Sequence, residues 1–260
     1  MASESDIRAS FDGAVESYDQ ARPSYPAELF HQLFDLLPAQ PHIIEVGPGT
    51  GKATKDLLAR DAHVHAVEIG PAMAAKLRSN LPSDRLRITN GAFELVPIAP
   101  GSADAVFAAT AYHWISPAAQ VDRPAEILHK GGIVAIVDLI QVESPDDAGF
   151  FAASQPIYER YGQGHNGPPS PTRAEARPEI FDVFNADRRF GAVTVHRYDW
   201  NQTYDASQYR QLMLSYSATQ MMDEPDRRGL LEDMEAFITT HFDGVVTRPL
   251  VATLTTAILT

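Results

Sequence analysis

The chain contains no cysteine. That excludes disulfides, thiolate zinc sites and every mechanism built on a cysteine nucleophile. Long apolar runs are absent as well: no stretch approaches the roughly 18 residues needed to span a bilayer. Met1 to Asp12 is polar and acid-bearing, unlike the apolar segment of a signal peptide. A cytoplasmic address is the resulting expectation, with no membrane partner. Positive charge is scarce, with 21 Lys+Arg against 34 Asp+Glu and a net charge of -13. A general binder of nucleic acid or anionic membrane needs a concentrated positive field. Neither is expected here, although a local basic groove stays open. No acidic or histidine cluster suggests a metal centre.

What is present is ordinary for a globular protein: 260 residues, 44% hydrophobic and 21% charged. That length buries a sizeable core, as one large domain or one domain with an elaborated cap. Pro26 starts a helical pattern through Leu29, Leu33 and Leu36-Leu37, closed by Pro38. From 43 to 139 short apolar runs (Ile43–Val46, His63–Val67, Leu86–Ile88, Ala103–Ala108, Ile133–Leu139) alternate with helical stretches near 52–60, 71–80 and 118–129. Such alternation predicts βαβ units on a parallel sheet. Lys130-Gly131-Gly132 reads as the helix stop before the fifth strand.

Beyond the fifth strand the rhythm breaks. A helical stretch from Phe150 to Tyr161 precedes the Gly/Pro-rich segment Gly162 to Pro171, of a length typical of lids and binding loops. Two helical stretches, about 205–222 and 224–242, lie between strand-like runs at Ala192–Tyr198 and Val245–Ile258. The last run is Thr/Val-rich and alternating, which predicts an antiparallel strand at a sheet edge.

The most informative segment is Ile43-Ile44-Glu45-Val46-Gly47-Pro48-Gly49-Thr50-Gly51. A buried strand feeds a tight glycine turn where backbone comes close to a ligand. A P-loop needs G-x-x-x-x-G-K-[ST]. Val46 stands where its first glycine belongs and Ala53 where its hydroxyl belongs. A dinucleotide loop needs G-x-G-x-x-G, and its third glycine would fall on Lys52. The remaining pattern, E-x-G-x-G-x-G, resembles the first motif of the class I S-adenosylmethionine-dependent methyltransferases.

The resemblance extends over most of the chain. Phe107-Ala108-Ala109-Thr110-Ala111-Tyr112-His113-Trp114-Ile115 and Tyr18-Asp19-Gln20-Ala21-Arg22-Pro23-Ser24-Tyr25-Pro26 are similar to segments of the trans-aconitate methyltransferase-like group. Glu126 to Gly132 corresponds to its turn before strand five, with His129-Lys130 in place of the usual proline. The resemblance implies an α/β fold: a Rossmann-like seven-stranded, mostly parallel sheet with an antiparallel last strand and a helical cap. It implies S-adenosyl-L-methionine as cofactor and a single domain over 1–260. Its parts are N-terminal lid helices over 1–40, a cofactor-binding core over 41–140, and substrate-cap insertions over 141–190 and 205–243.

Candidate cofactor contacts follow. Glu45, Gly47, Pro48, Gly49, Thr50 and Gly51 form the loop. Glu68, 17 residues beyond Gly51, ends strand two, where a carboxylate can accept both ribose hydroxyls. Glu45 and Glu68 together form an acidic setting that suits a cationic cofactor. Ile69 and Met73 are placed to pack on the adenine face, and Ala92 and Phe93 lie where the family makes its adenine contacts. Position 92 lacks the family's frequent acid. The resemblance places Thr110, Ala111, Tyr112, His113 and Trp114 at the reaction centre. His113 is the candidate catalytic base, or a hydrogen-bond donor orienting substrate, or a structural tie. Tyr18, Arg22 and Tyr25 either close over the methionine end or clasp the N-terminus.

Methyl transfer from a sulfonium needs alignment and a dry site, and a base only where the acceptor must lose a proton. No N/D-P-P-Y run follows strand four, which weighs against nucleic-acid bases, and the absence of cysteine excludes cytosine C5. A small-molecule acceptor is expected, methylated at a carboxylate or hydroxyl oxygen. Nitrogen or carbon acceptors, tRNA or protein, and a non-methylating binder of the cofactor remain the alternatives. Substrate candidates are Tyr25, His113, Trp114, Tyr158, His165 and Tyr216, with Tyr161, Trp200 and Met221-Met222 as further cap residues. Arg173 and Arg177 are candidates for holding an acidic substrate. A monomer or homodimer fits all of this.

Overall fold

The computed structural model describes residues 23–164, 170–178 and 180–260. The elements run α1 (Ala27–Phe34), β1 (His42–Val46), α2 (Thr54–Leu58), β2 (His63–Glu68), α3 (Pro71–Asn80), β3 (Leu86–Asn90), β4 (Ala103–Ala109), α4 (Ala119–Ile127) and β5 (Leu128–Gln141). They continue as α5 (Phe150–Arg160), α6 (Ile180–Asn185), β6 (Thr194–Asp205), α7 (Ala206–Leu214), α8 (Ser217–Gln220), α9 (Glu224–His241) and β7 (Val245–Ile258). The strands form one seven-stranded sheet in the order β3-β2-β1-β4-β5-β7-β6.

The first five strands are parallel to one another. Central parallel strands are covered on both faces and so read as near-continuous apolar runs, as β1 and β4 do. Alternate side chains leave the sheet on opposite sides. Ile43, Ala105, Phe107, Ile133 and Ala135 pack in one cluster with Leu29, Phe30 and Leu33 of α1. Ile44, Val46, Val106, Ala108, Val134 and Ile136 pack in a second cluster on the other face. Phe107 is fully buried; truncation to alanine at such a site costs about 3–5 kcal/mol.

Two expectations need correction. Helix α4 ends at Ile127, and Lys130-Gly131-Gly132 lies inside β5 rather than before it. The glycines absorb an irregularity: Ala103 pairs with Leu128, whereas Ala105 pairs with Ile133. Gly131 takes φ +88° there. The last strand is also not at an edge. β7 lies between β5 and β6, and β6 is the edge. Gly131 N–H bonds Leu259 O, while Val142 N–H bonds Pro249 O, so β7 runs antiparallel to β5.

Two compact units are distinguishable. The sheet unit comprises Ser24–Ile140, Arg177–Tyr198 and Val251–Thr260. Residues 177–190, expected in the cap, belong here, and Phe184 of α6 packs against Tyr112. The second unit comprises Gln141–Ala176 and Asp199–Leu250. Its own core gathers Phe150, Tyr209, Leu212, Leu230, Met234 and Ile238 from α5, α7 and α9. Asp205 and Gln208 form a reciprocal capping box that starts α7. No helix among the described residues is long and apolar enough to cross a membrane.

Candidate active site

The sheet order reverses between β1 and β4, which pair through Val46 and Ala108. Ligands of open α/β sheets bind beyond the strand ends at such a switch point. The loops leaving β1 and β4 meet there. Gly47 takes φ +62°, and a Cβ on it would stand 2.6 Å from the Ala111 Cβ. Gly51 takes φ +97°, and its Cβ would stand 2.6 Å from Leu77 of α3. Side chains at either position would drive the glycine loop away from its neighbours.

Glu68 holds this loop. It is buried, its Oε2 accepts the Gly49 N–H at 2.9 Å and its Oε1 accepts the Gly70 N–H at 2.8 Å. The carboxylate therefore pins the glycine turn to the turn after β2. Both oxygens are thus engaged in bracing backbone at the end of β2. Asn90 completes the brace, its Nδ2 donating to the carbonyls of Glu68 and Ile69 at 2.8 and 3.0 Å. Sequence reasoning passed over Asn90, although it opens the Asn90–Glu94 segment.

Glu45 behaves differently from the expectation. It is 1% exposed and accepts a hydrogen bond from the Thr54 hydroxyl at 2.7 Å. Burial pushes its carboxyl up to about 8, with the Thr54 bond opposing and the Glu68 charge adding to the rise. Around neutral pH it is thus mainly protonated and ties β1 to α2. Glu45 thus adds little negative charge to the expected acidic pair. The folded value lies above the ordinary 4.5. Stability from this group is therefore complete below that ordinary value and falls as pH rises toward 8, by about 1.4 kcal/mol per unit. Glu45→Gln is expected to flatten the pH dependence of denaturant midpoints between pH 5 and 8. An unchanged slope would show that Glu45 is not the titrating group.

The remaining loop residues are packed. Pro48 and Thr50 are buried, the Thr50 carbonyl accepts from Asn80 Nδ2 at 3.0 Å, and the Thr50 Oγ1 has no partner among the described residues. Met73 and Phe93 are buried, Ala92 is half-buried, and Ile69 is 43% exposed. Ile69 is thus the open apolar surface beside Glu68. An orphaned buried hydroxyl on Thr50, an exposed apolar side chain on Ile69 and a glycine cradle braced by a carboxylate together fit a nucleoside-bearing cofactor such as S-adenosylmethionine.

At the end of β4, Thr110 takes φ +53°. For a β-branched residue this is an outlier costing about 1–3 kcal/mol, of the kind that gathers at functional sites. Its N–H bonds the Val137 carbonyl at 2.8 Å, and its Oγ1 lies 3.2 Å from the Tyr25 hydroxyl. Tyr25 is thereby brought to the same strand end. Tyr112–Trp114 form a single 3-10 turn. Tyr112 turns inward, 2% exposed, with its hydroxyl bonded to the Gln120 carbonyl. Only its backbone is left for a cofactor, because the turn breaks strand alternation. His113 is exposed, its ring 4.9 Å from that of half-buried Trp114.

Tyr18, Arg22 and His165 lie outside the described residues. Tyr158 and Tyr216 belong to the second unit, where both adjoin Arg248. Tyr161 is committed to Asp233 at 2.9 Å. Arg173, expected to hold an acidic substrate, is instead engaged by Asp146 at 2.9 Å, Asn201 at 2.6 Å and the Leu250 carbonyl at 2.8 Å. Arg177 is exposed in the sheet unit. Among the described residues no group of three or more His, Asp or Glu is arranged to hold a metal ion.

Comparison with known proteins agrees with this layout. Residues 44–136 match the family described as a methyltransferase domain. An uncharacterized methyltransferase of Mycobacterium tuberculosis is 38% identical over 132 residues, covering 51% of this chain and 53% of that protein. Malonyl-[acyl-carrier protein] O-methyltransferase of Halorhodospira halophila is 31% identical over 156 residues, covering 58% and 48% respectively. The chain therefore spans about half the length of these curated relatives. A phosphoethanolamine N-methyltransferase of Haemonchus contortus was solved with phosphomonomethylethanolamine and S-adenosylhomocysteine. It superposes with a TM-score of 0.57 at 14% identity, over 100% of this chain and 60% of that one. The Rossmann-like fold is thus shared with solved methyltransferase structures.

Proposed function

We propose that the protein is an S-adenosyl-L-methionine-dependent methyltransferase that methylates a small molecule, at a carboxylate or hydroxyl oxygen. The observation that carries this reading is the clamp of Glu68 on Gly49 and Gly70, set at the sheet's switch point within residues that match a methyltransferase domain. It leaves a carboxylate beside an open glycine turn and an apolar Ile69, a surface suited to ribose and adenine. Similarity to an O-methyltransferase over 58% of the chain favours oxygen as the acceptor atom.

When bound, the cofactor supplies a methyl group on a sulfonium, a leaving group that already carries its activation. The chain has three tasks. Gly47 to Gly51 and Glu68 hold the nucleoside. The Thr110–Trp114 turn forms the wall facing the methyl group, kept in place by the Thr110–Tyr25 contact. His113 either accepts a proton from an acceptor hydroxyl or donates a hydrogen bond to its oxygen.

The test is transfer of labelled methyl from S-adenosylmethionine into a fractionated metabolite extract, followed by mass spectrometry of labelled fractions. The expected result is label in a low-mass ester or ether, with stoichiometric S-adenosylhomocysteine. Label confined to RNA or protein, or no S-adenosylhomocysteine from any fraction, would overturn the reading.

A further inference from the structure

Arg248 sits in β7 between Thr247 and Pro249, and it is the only charged residue in the run Val245–Ile258. Its Nη1 donates to the Tyr216 hydroxyl at 2.6 Å and its Nη2 donates to Gln141 Oε1 at 2.5 Å. Its Nε is sealed from solvent and has no hydrogen-bond partner among the described residues. Tyr158, Tyr204, Tyr209 and Tyr216 all lie within electrostatic range of the guanidinium. Tyr158 and Tyr209 are themselves linked hydroxyl to hydroxyl at 3.2 Å. All six residues belong to the second unit.

What this arrangement lacks is a negative charge. Among the described residues no carboxylate forms an ion pair with Arg248, in a chain with 34 acids. Arg173, Arg160 and Arg210 of the same unit each have an acidic partner. Taking a guanidinium out of water costs several kcal/mol unless a counter-charge offsets it. Phenols and an amide offer dipoles only. A guanidinium has five N–H groups; two are used here. The Nε–H is among the remainder, and Nε with an adjacent Nη makes the fork that pairs bidentately with an oxyanion.

We propose that Arg248, framed by Tyr158, Tyr204, Tyr209, Tyr216 and Gln141, is a binding site for an oxyanion, a carboxylate or a phosphate. The site stands independently of the function proposed above. Aromatic walls around a single cation select an apolar or aromatic body with one charged head. Tyr216 and Gln141 then act on the anion through the guanidinium that they orient.

The test uses the full chain and three probes with one body: phenylacetate, phenyl phosphate and the uncharged phenylacetamide. In calorimetry at least one anion is expected to bind, with the amide at least tenfold weaker. Preference between phenylacetate and phenyl phosphate tells a carboxylate from a phosphate. Arg248→Gln is expected to weaken anion binding at least tenfold and Arg248→Lys to recover part of it, while Arg173→Gln leaves it unchanged. Should Arg248→Gln fail to fold, the Arg248 Nε–H resonance of the wild-type protein provides the readout, shifting with the anion and not with the amide. Failure of both anions to bind, equal binding of the amide, or an unmoved Nε–H would overturn the site. S-adenosylmethionine is titrated separately. Its binding without any Arg248-dependent anion binding overturns this inference alone. Arg248-dependent anion binding without S-adenosylmethionine binding overturns the methyltransferase reading and leaves the anion site standing.

Discussion

Glu68→Ala is expected to abolish S-adenosylmethionine binding, with at least about a 100-fold loss of affinity, equivalent to roughly 2.7 kcal/mol. Two causes act together. The first is loss of the acceptor proposed for the ribose. The second is loss of the loop itself, because the carboxylate is what holds the Gly49 and Gly70 N–H groups at 2.9 and 2.8 Å. Hydrogen bonds to a charged group contribute about 1.5–3 kcal/mol each, and an abandoned buried N–H carries its own penalty. The thermal midpoint should therefore fall along with affinity.

Glu68→Gln separates the two causes. It keeps one acceptor oxygen but turns an NH2 group toward the other backbone N–H, so one side of the clamp is lost. An intermediate affinity, with the melting point nearer to wild type than in Glu68→Ala, is the expected pattern in calorimetry and thermal melts. Micromolar binding by Glu68→Ala would remove Glu68 from the cofactor site.

The parallel half of the fold was readable because buried parallel strands leave an unbroken apolar trace. β1 and β4 stand in the sequence nearly as they stand in the sheet. Errors arose where one local signal serves two structures. Lys130-Gly131-Gly132 has the chemistry of a helix stop, yet the same positive-φ freedom serves an irregular strand. Tyr112 looked like a ligand contact because it follows β4, but a single 3-10 turn rotates it into the core. Glu45 has the same residue type as Glu68 and a neighbouring place in the fold. Only packing tells that one is neutral and bonded to Thr54 while the other braces backbone.

The second unit was harder to read for a different reason. Its polar core joins positions distant in sequence, Gln141, Tyr158, Tyr209 and Tyr216 around Arg248, and no short motif encodes such a set. One signal was available: a lone arginine interrupting the alternating apolar strand Val245–Ile258. Arg173 is already matched by Asp146 and Asn201.

His113→Ala carries the second large effect, and its size reports on the acceptor. A hydroxyl must lose its proton as the methyl group arrives, and a positioned base supplies about 10²–10⁴ in rate. A carboxylate is already ionised at neutral pH, so there His113 can only orient it. The expected outcome for a hydroxyl acceptor is a loss of turnover of about 100-fold or more. S-adenosylmethionine affinity should stay within a few-fold, because the imidazole sits on the exposed side of the Tyr112–Trp114 turn beside Trp114. His113→Gln distinguishes the two roles: an amide donates a hydrogen bond but is no base. Rescue by glutamine identifies an orienting contact on an acceptor that needs no deprotonation, whereas equal loss in both variants identifies the base. Turnover unchanged in His113→Ala would leave the histidine a structural tie. The methyl-facing wall would then reduce to Thr110, Ala111 and Trp114, and catalysis to alignment and exclusion of water.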